Sequence, residues 1–340
     1  MLEARATVSN VSRIVIVTPA PPGSRKGNRI TASRWARMLR SLGHQVVIQE
    51  EFRGERCDLL IALHARKSAD DVAQFRRSNS DRPIVVVLTG TDLYGDIRTS
   101  RAAHQSLELA DRLVLLQPEG LQELPPQLRQ KARVIFQSAI PLPARPRPLK
   151  SVFEISVCGH LRPVKDPFRA ALAARKLPAE SRIRITQIGA ALTDSMKQRA
   201  TKELIRNPRY RWTGDVPYSR ARRLVARSRL LVLSSKLEGG ANVISEALAD
   251  DVPVLSTRIS GSIGLLGKDY EGYFEVGDTR GLTRLLLRCE QDGEFLKTIR
   301  SQSRKSAVLL TPQREQATLK SLLDELSLAG MNHSADSPTL

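Results

Sequence analysis

The chain has 340 residues, with 54 Lys and Arg against 35 Asp and Glu, so its formal net charge is +19. A hydrophobic fraction of 41% excludes wholesale disorder. No apolar run reaches the ~18 residues of a membrane-spanning helix, and the run over residues 13–18 is too short for a secretory signal. Three widely spaced cysteines form neither a disulfide framework nor a metal knuckle, which favours a reducing, cytoplasmic location.

The first part of the chain alternates short β-branched runs with amphipathic stretches. Between the first two runs, Trp35, Met38, Leu39 and Leu42 recur at helical spacing, and Gly43 ends that helix. Continuous β-branched strands separated by helices predict a parallel sheet that is covered on both faces. The predicted strands are 14–17, 46–48, 59–63, 84–88, 113–116 and 134–135.

Residues 139–150 interrupt this pattern with four prolines and are the predicted linker. After them the alternation resumes, with strands at 155–158, 183–188, 230–233 and 253–256 and helices near 167–175, 193–205, 218–227 and 241–249. We therefore predict an α/β protein with two doubly wound, Rossmann-like domains, residues 1–145 and 150–310, facing a cleft that holds ligands. A helix is predicted over 311–328 and a disordered tail over 329–340.

The sharpest motif stands where the strand ending at Leu233 gives way to a helix. Glycines there let the backbone approach a ligand, and the N–H groups of the new helix suit a phosphate or diphosphate. Two glutamates eight residues apart flank the helix start, so one can lie beside a sugar while the other accepts hydrogen bonds from a ribose. A capped helix with two solvated glutamates is the alternative. The residues concerned are Glu238, Gly239, Gly240, Ala241, Asn242 and Glu246.

A second motif follows the first strand after the linker. Gly159 permits a tight turn there, and Arg162 and Lys165 are placed to clamp phosphate oxygens. In a chain this rich in arginine, a solvated loop is the alternative. Basic segments such as residues 220–229 are interpreted as solvated faces of amphipathic helices.

Three further strand ends in the first domain carry polar residues, in the position where an open α/β sheet usually holds its ligand. Ordinary loops, helix capping by Asp92 and a structural role for His64 are the alternatives. The candidate residues are Gly23, Arg25, Lys26, Gly27, Asn28 and Arg29 after strand one, His64 and Arg66 after strand three, and Thr89, Gly90, Thr91 and Asp92 after strand four. Segment 258–264 is predicted to turn or to touch a sugar.

Several chemistries lack sequence support. No cluster of Cys or His has metal-ligand spacing, and no Asp-x-Asp at a strand end suggests a divalent ion on a nucleotide diphosphate. No serine stands in a nucleophile elbow. Aromatic residues make up only 4% of the chain, and no recognition helix accompanies the basic segments, so the positive charge does not indicate nucleic-acid binding.

The segment from Glu238 to Glu246 resembles the Glu-x7-Glu motif of family 4 glycosyltransferases with the GT-B fold. The segment from Gly159 to Lys165 resembles the basic diphosphate clamp of that family. The resemblance implies that residues 150–310 bind a nucleotide sugar, with Glu246 on the ribose, Glu238 and residues 239–242 facing the sugar and diphosphate, and Arg162 and Lys165 neutralising the leaving group. It also implies catalysis without an essential metal or other cofactor, and a final helix that crosses back to the N-terminal domain.

A wider resemblance, over residues 13–315, is to the selenosugar synthases of bacterial selenoneine biosynthesis. It is carried by blocks beginning at Thr18, Ala62, Leu88, Gly159, Ser234 and Ser260. It implies transfer of selenium from selenophosphate to the anomeric carbon of a UDP-sugar, UDP-N-acetylglucosamine or UDP-glucose, releasing UDP and phosphate. It also implies a hand-off of selenophosphate from selenophosphate synthetase. From composition and hydropathy we expect no nucleic-acid partner and no stable insertion into a membrane.

Within that resemblance, Arg25, Lys26 and Arg29 are the first candidates for holding selenophosphate, and the residues after strands three and four are reserves. Three other functions compete with selenium transfer. They are glycosyl transfer to an oxygen acceptor such as a lipid or polysaccharide, epimerisation of a sugar nucleotide, and, from charge alone, nucleic-acid binding.

Overall fold

The structure, a computed structural model, describes residues 11–24 and 26–334. The chain forms two compact units. Unit 1 contains the chain up to residue 116, residues 121–135, and the chain from residue 315, whereas unit 2 contains residues 117–120 and 136–314.

Unit 1 is a parallel sheet of six strands in the order β2-β1-β3-β4-β5-β6. Its strands are fully buried at β3 and β4, as expected for a sheet covered on both faces. A π-helical turn, Asp92–Asp96, follows β4, and a 3₁₀ turn lies at Pro126–Lys131. Another 3₁₀ turn, Pro118–Glu123, is divided between the units, with residues 118–120 in unit 2 and 121–123 in unit 1. The elements are β1 (Arg13–Val17), α1 (Gly27–Ser41), β2 (Gln45–Gln49), β3 (Leu59–Leu63), α2 (Ala69–Ser78), β4 (Ile84–Leu88), α3 (Ile97–Thr99), α4 (Arg101–Leu109), β5 (Arg112–Leu115) and β6 (Ala132–Val134).

Unit 2 is a second parallel sheet of six strands, ordered β12-β11-β10-β7-β8-β9. When β7 is numbered as strand 1 and the sheet is followed from β9 to β12, the order is 3-2-1-4-5-6, that of a nucleotide-binding Rossmann sheet. The direction of the strand order reverses between β7 and β10. The elements are β7 (Phe153–Cys158), α5 (Arg169–Ala174), β8 (Ile183–Ile188), α6 (Asp194–Arg206), β9 (Tyr210–Trp212), α7 (Tyr218–Arg227), β10 (Leu230–Leu233), α8 (Asn242–Ala249), β11 (Val254–Thr257), α9 (Ser260–Leu266), β12 (Tyr273–Phe274), α10 (Thr279–Gln291) and α11 (Gly293–Ala307).

The last helix, α12 (Pro312–Ser334), begins in unit 2 and continues in unit 1. Leu319, Leu322 and Leu326 of this helix join the same buried cluster as Trp35 and Leu39 of α1. Residues 329–334 continue the helix, although the sequence analysis places them in the tail, and residues 335–340 lie outside the described part of the chain.

Two sequence expectations about local structure are corrected. Segment 258–264 is not a simple turn, because α9 starts at Ser260. Residues 27–29, expected in the loop after β1, already form the first turn of α1.

None of the helices within residues 11–24 and 26–334 combines the length and the apolar composition that a bilayer-spanning segment needs.

Candidate functional site

Two loops of unit 2 flank the point where its strand order reverses, which is where open α/β sheets bind ligands. One loop follows β7 and the other follows β10, and these strands are hydrogen-bonded neighbours. Because all strands of the sheet are parallel, both loops leave it at the same edge. The sheet order thus brings together the two motifs that the sequence analysis treats separately.

The loop after β7 begins with a glycine that the backbone requires. Gly159 has φ +152°, and Gly189 after β8 has φ +136°. A Cβ built on Gly189 would lie 2.6 Å from the carbonyl carbon of Gly159, closer than side chains come to backbone. The loop then bridges Leu161 to Ala191, so its course is fixed by the neighbouring strand end.

Backbone and hydroxyl contacts join the two loops. The N–H of Lys236 donates to the carbonyl of Val164 at 2.8 Å, and the hydroxyl of Ser234 donates to the carbonyl of Asp166 at 2.8 Å. Asp166 takes a left-handed conformation, φ +41°, which ends the 3₁₀ turn Pro163–Lys165. The position of Lys165 therefore depends on residues of the β10 loop.

An ion pair between Lys165 and Glu238 connects the predicted diphosphate clamp to the first glutamate of the Glu-x7-Glu motif. The side chains are 23% and 11% exposed, so solvent screens the pair only partly. Ser235 donates its hydroxyl to the same carboxylate oxygen at 2.5 Å. The carbonyl of Ser235 in turn accepts a 2.6 Å hydrogen bond from Thr257 at the end of β11. Arg162, which lies with Lys165 on the loop after β7, is exposed.

Helix α8 starts where the two glycines end. Its N-cap is Ala241, whose methyl side chain cannot satisfy the first N–H groups of the helix, and its first turn contains no acidic residue. The half-positive helix start therefore suits an anion. Gly239 is buried and Gly240 and Asn242 are partly buried, which places this backbone at the site rather than in bulk solvent.

The second glutamate of the motif lies farther along α8. Glu246 is 8% exposed and accepts a hydrogen bond from the hydroxyl of Tyr218 at 2.9 Å. Burial, reinforced by the negative charge of Glu246, raises the pKa of the Cys158 thiol to about 12. Cys158 therefore stays protonated and is not a nucleophile at neutral pH.

In unit 1 the candidate residues stand at the carboxyl ends of β1, β3 and β4, which are neighbours in the sheet. Gly23 turns the β1 loop with φ +78°, and Lys26 is the N-cap of α1, whose first turn carries Asn28 and Arg29 and no acidic residue. Nη1 of Arg29 is buried and makes no hydrogen bond within the described residues. Arg25 lies outside the described residues.

His64 is 3% exposed and has φ +82°, an unusual conformation for a residue other than glycine. Its Nδ1 accepts from the N–H of Lys67 at 3.4 Å, which leaves Nε2 to donate to the hydroxyl of Thr91 at 3.1 Å. Burial lowers the pKa of His64, and Asp92 only partly opposes that effect. The ring is therefore neutral at pH 7.

The carboxylate of Asp92 is occupied by backbone. It is 0% exposed and accepts hydrogen bonds from the N–H groups of Ala65 at 3.1 Å, Thr89 at 2.9 Å and Gly90 at 2.8 Å. These hydrogen bonds hold the turn after β4, which agrees with the structural role given above as the alternative for Asp92, and its contact with a ligand stays a prediction. Beside it, Arg66 pairs with Asp96 at 2.9 Å.

Sequence reasoning missed Ser235, Tyr218 and Arg222. The many arginines of segment 220–229 predict a solvated helix face, but Arg222 is 5% exposed and pairs with Asp250 at 2.7 Å. The signal was the four-residue spacing of Tyr218 and Arg222, which matches that of Glu246 and Asp250.

Comparisons with known proteins agree with this architecture. Residues 146–306 match the family model described as "Glycosyl transferases group 1", and these residues include every unit 2 site residue named above. No curated protein matches the sequence.

Solved structures resemble the chain over most of its length. HepE of Anabaena, in complex with UDP and glucose, is 15% identical with a TM-score of 0.73, covering 92% of this chain and 100% of that one. Sucrose-phosphate synthase of Thermosynechococcus elongatus is 13% identical with a TM-score of 0.74, covering 93% and 99%. A glycosyltransferase of Rickettsia africae gives the same identity, score and coverage. The predicted fold class, two parallel-sheet Rossmann-like domains of the GT-B kind, is confirmed.

Proposed function

We propose, from the match of residues 146–306 to group 1 glycosyltransferases, that the protein is a glycosyltransferase whose unit 2 binds a UDP-sugar. Within the structure, the observation that best supports this proposal is the pairing of Lys165 with Glu238 beside the start of α8. A cation, a carboxylate and a helix start whose N-cap side chain makes no capping hydrogen bond then lie on adjoining loops at the switch point of a Rossmann sheet.

Each group at this site has a part in the proposed transfer. Arg162 and Lys165 neutralise the charge that develops on the diphosphate as the sugar leaves, and the N–H groups at the start of α8 add to that stabilisation. Glu246 accepts hydrogen bonds from the ribose. Glu238, held by Ser235, faces the sugar. The solved structures of HepE with UDP and with UDP-glucose support a uridine nucleotide as the donor class.

We propose selenophosphate as the acceptor, on the strength of the sequence blocks shared with selenosugar synthases. Unit 1 offers features that suit it: Lys26 and Arg29 at the start of α1, with Nη1 of Arg29 buried and without a hydrogen bond in the described residues. These two cations at a helix start suit a phosphate, and Arg25, the residue before Lys26 in the sequence, remains a candidate from sequence alone. The neutral His64 and the hydroxyl of Thr91 stand at the neighbouring strand ends.

The proposed reaction balances with water as a co-substrate. The selenium of selenophosphate forms a bond to the anomeric carbon, and the bond from that carbon to the diphosphate oxygen breaks, its electron pair leaving with UDP. Water then cleaves the selenium–phosphorus bond, releasing phosphate and the 1-selenosugar. Selenophosphate is an anion at neutral pH and selenium is a soft nucleophile, so alignment and charge stabilisation serve this reaction better than a strong general base.

We further propose that the transfer needs no essential metal, as the family resemblance implies, and that selenophosphate is received from the synthetase that makes it. We expect the protein to act in the cytoplasm without nucleic acid.

The test is to incubate the protein with UDP-N-acetylglucosamine or UDP-glucose and freshly made selenophosphate. We expect UDP release and, by mass spectrometry, a sugar product with the selenium isotope pattern. Arg29→Ala should raise the KM for selenophosphate, whereas Arg37→Ala, a change of another arginine on α1, should not.

Other results would select other functions. UDP release that depends on a lipid or polysaccharide, with no selenium in the product, would replace selenium transfer by oxygen transfer. Conversion of the UDP-sugar to its epimer would indicate an epimerase. Failure to bind any uridine nucleotide would contradict the glycosyltransferase proposal altogether.

A further inference from the structure

Two helices of unit 2 are joined by a pair of matched polar contacts. On α7, Tyr218 and Arg222 are four residues apart, and Glu246 and Asp250, on α8 and at its C-cap, are also four residues apart. Tyr218 contacts Glu246 at 2.9 Å and Arg222 contacts Asp250 at 2.7 Å. Residues four apart lie on one face of a helix, so these contacts are two successive rungs between the helices.

The direction of each hydrogen bond is fixed by chemistry. Arg222 has only donors, and its Nη1 donates to the hydroxyl oxygen of Tyr218 at 3.4 Å. The single hydroxyl proton of Tyr218 therefore points to Oε1 of Glu246. Burial, together with the charge of Glu246, raises the pKa of Tyr218, so this proton stays in place at neutral pH.

The second rung is anchored in the linker region. Nη2 of Arg222 donates to the carbonyl of Ile140 at 3.1 Å, and Asp250 accepts from the N–H of Leu142 at 2.7 Å. Arg222 and Asp250 are 5% and 4% exposed, so neither side chain can rotate without leaving a buried charge unpaired. Arg222 is thereby held in place and with it the hydroxyl of Tyr218.

Tyr218 is half-exposed, so its hydroxyl does not need a protein partner, yet it donates a hydrogen bond to Glu246. The residue is 47% exposed, and a tyrosine at such a position can satisfy its hydroxyl with water. Its proton instead goes to a carboxylate that is 8% exposed. A carboxylate offers about four acceptor positions, so this bond orients the group while leaving it compatible with hydrogen bonds from ligand hydroxyls.

We infer that Tyr218 is a positioning residue that orients the carboxylate of Glu246 toward the ribose hydroxyls of the bound nucleotide, and that Arg222 and Asp250 hold Tyr218 for this task. The inference rests on the proposed function, because it assigns Glu246 to the ribose. If so, Tyr218 contributes to the affinity for a nucleotide only when the nucleotide has ribose hydroxyls that can donate hydrogen bonds to Glu246.

Isothermal titration calorimetry with UDP and with 2′,3′-dideoxyuridine diphosphate tests this. For Tyr218→Phe we expect UDP affinity to fall about tenfold, the effect of one hydrogen bond to a charged group, and affinity for the dideoxy nucleotide to change less than about twofold. Tyr210→Phe is the matched control, because Tyr210 is buried in β9 and its hydroxyl makes no hydrogen bond within the described residues. It should alter neither affinity.

Two outcomes would overturn the inference while leaving the proposed function intact. One is an equal loss for both nucleotides in Tyr218→Phe, which would indicate a general effect on the site. The other is no loss for either nucleotide. A wild-type protein that binds no UDP would overturn the inference together with the proposed function. Circular dichroism and the unfolding temperature of each variant establish that the fold is retained.

Discussion

Gly261, in the first turn of α9, lies directly against the backbone of Glu238. A Cβ at this position would overlap the carbonyl oxygen of Glu238 and lie 2.8 Å from its carbonyl carbon. Any side chain on residue 261 therefore forces either α9 or the backbone of Glu238, the residue that pairs with Lys165, to shift. Helix α9 thus limits where the first glutamate of the motif can stand.

Gly261→Ala is expected to reduce kcat/KM for the UDP-sugar about 10- to 100-fold, because a displacement of catalytic groups by about 1 Å lowers the reaction rate by up to this factor. Steady-state assays of UDP release measure it. Gly293→Ala is the control, since a Cβ there meets nothing within 4 Å. Equal activity of the two variants would show that the site does not depend on the position of Glu238.

Lys165→Met should raise the KM for the UDP-sugar and lower kcat/KM about 10- to 100-fold, the effect of one hydrogen bond to a charged group. Met keeps most of the apolar stem and removes only the ammonium. Lys176→Met, which changes an exposed lysine two residues beyond the end of α5, is the control. If both variants retain wild-type kinetics, Lys165 does not hold the diphosphate.

Removing the carboxylate of Glu315, on α12, is expected to destabilise unit 1. It is 2% exposed and accepts hydrogen bonds from Trp35 Nε1 at 2.8 Å and Arg34 Nε at 3.0 Å. Glu315→Ala leaves these donors without that carboxylate and should lower the unfolding free energy by about 3 kcal/mol.

The measurement is urea denaturation followed by the fluorescence of Trp35 in a Trp212→Phe background, which reports on unit 1 because the chain has two tryptophans. Asp324→Ala is the control on the same helix. Its ion pair with Lys320 is exposed, so the expected loss is less than about 0.5 kcal/mol. Equal losses would contradict the buried part assigned to Glu315.

His64 predicts a pH dependence of unit 1. Burial lowers its pKa below the ordinary value of 6.5, so on acidification the unfolded chain takes up a proton more readily than the folded one. The stabilisation is present above pH 6.5 and is lost as the pH falls below it. His64→Asn removes this titration, and asparagine tolerates the positive φ.

The same fluorescence assay from pH 7.5 to pH 5.5 should therefore show a smaller acid-induced loss of stability in His64→Asn than in the parent. His44, whose pKa burial also lowers, titrates in both proteins and cancels from the comparison. Identical pH profiles would mean that His64 has the same pKa in the folded and unfolded chain.

The sequence predicted the sheets well because continuous β-branched runs leave few alternatives. Each predicted strand overlaps an observed one, and helix 218–227 coincides with α7. Strands β9 and β12 were missed because they are short and contain no β-branched residue. Helix α9 was missed because Gly261 and Gly264 resemble a turn, whereas close approach to neighbouring backbone and side chains requires them.

At the site, the motifs identified which residues matter but not which of them touch. Whether Lys165 meets Glu238 depends on the order of β7 and β10 in the sheet, which no local pattern encodes. Arg222 was assigned to solvent because arginines surround it in sequence. Its burial follows from the packing of α7 beside α8, and only the three-dimensional register pairs it with Asp250.

The placement of α12 has a consequence for how the chain is made. The leucines of this helix fill the core of unit 1 beside Trp35, yet they are synthesised after all of unit 2. During synthesis, all strands of the unit 2 sheet are therefore made before α12, and until then one face of the unit 1 sheet lacks the helix that covers it. Unit 2 is the unit that can finish folding first, and unit 1 closes only when the last helix has emerged.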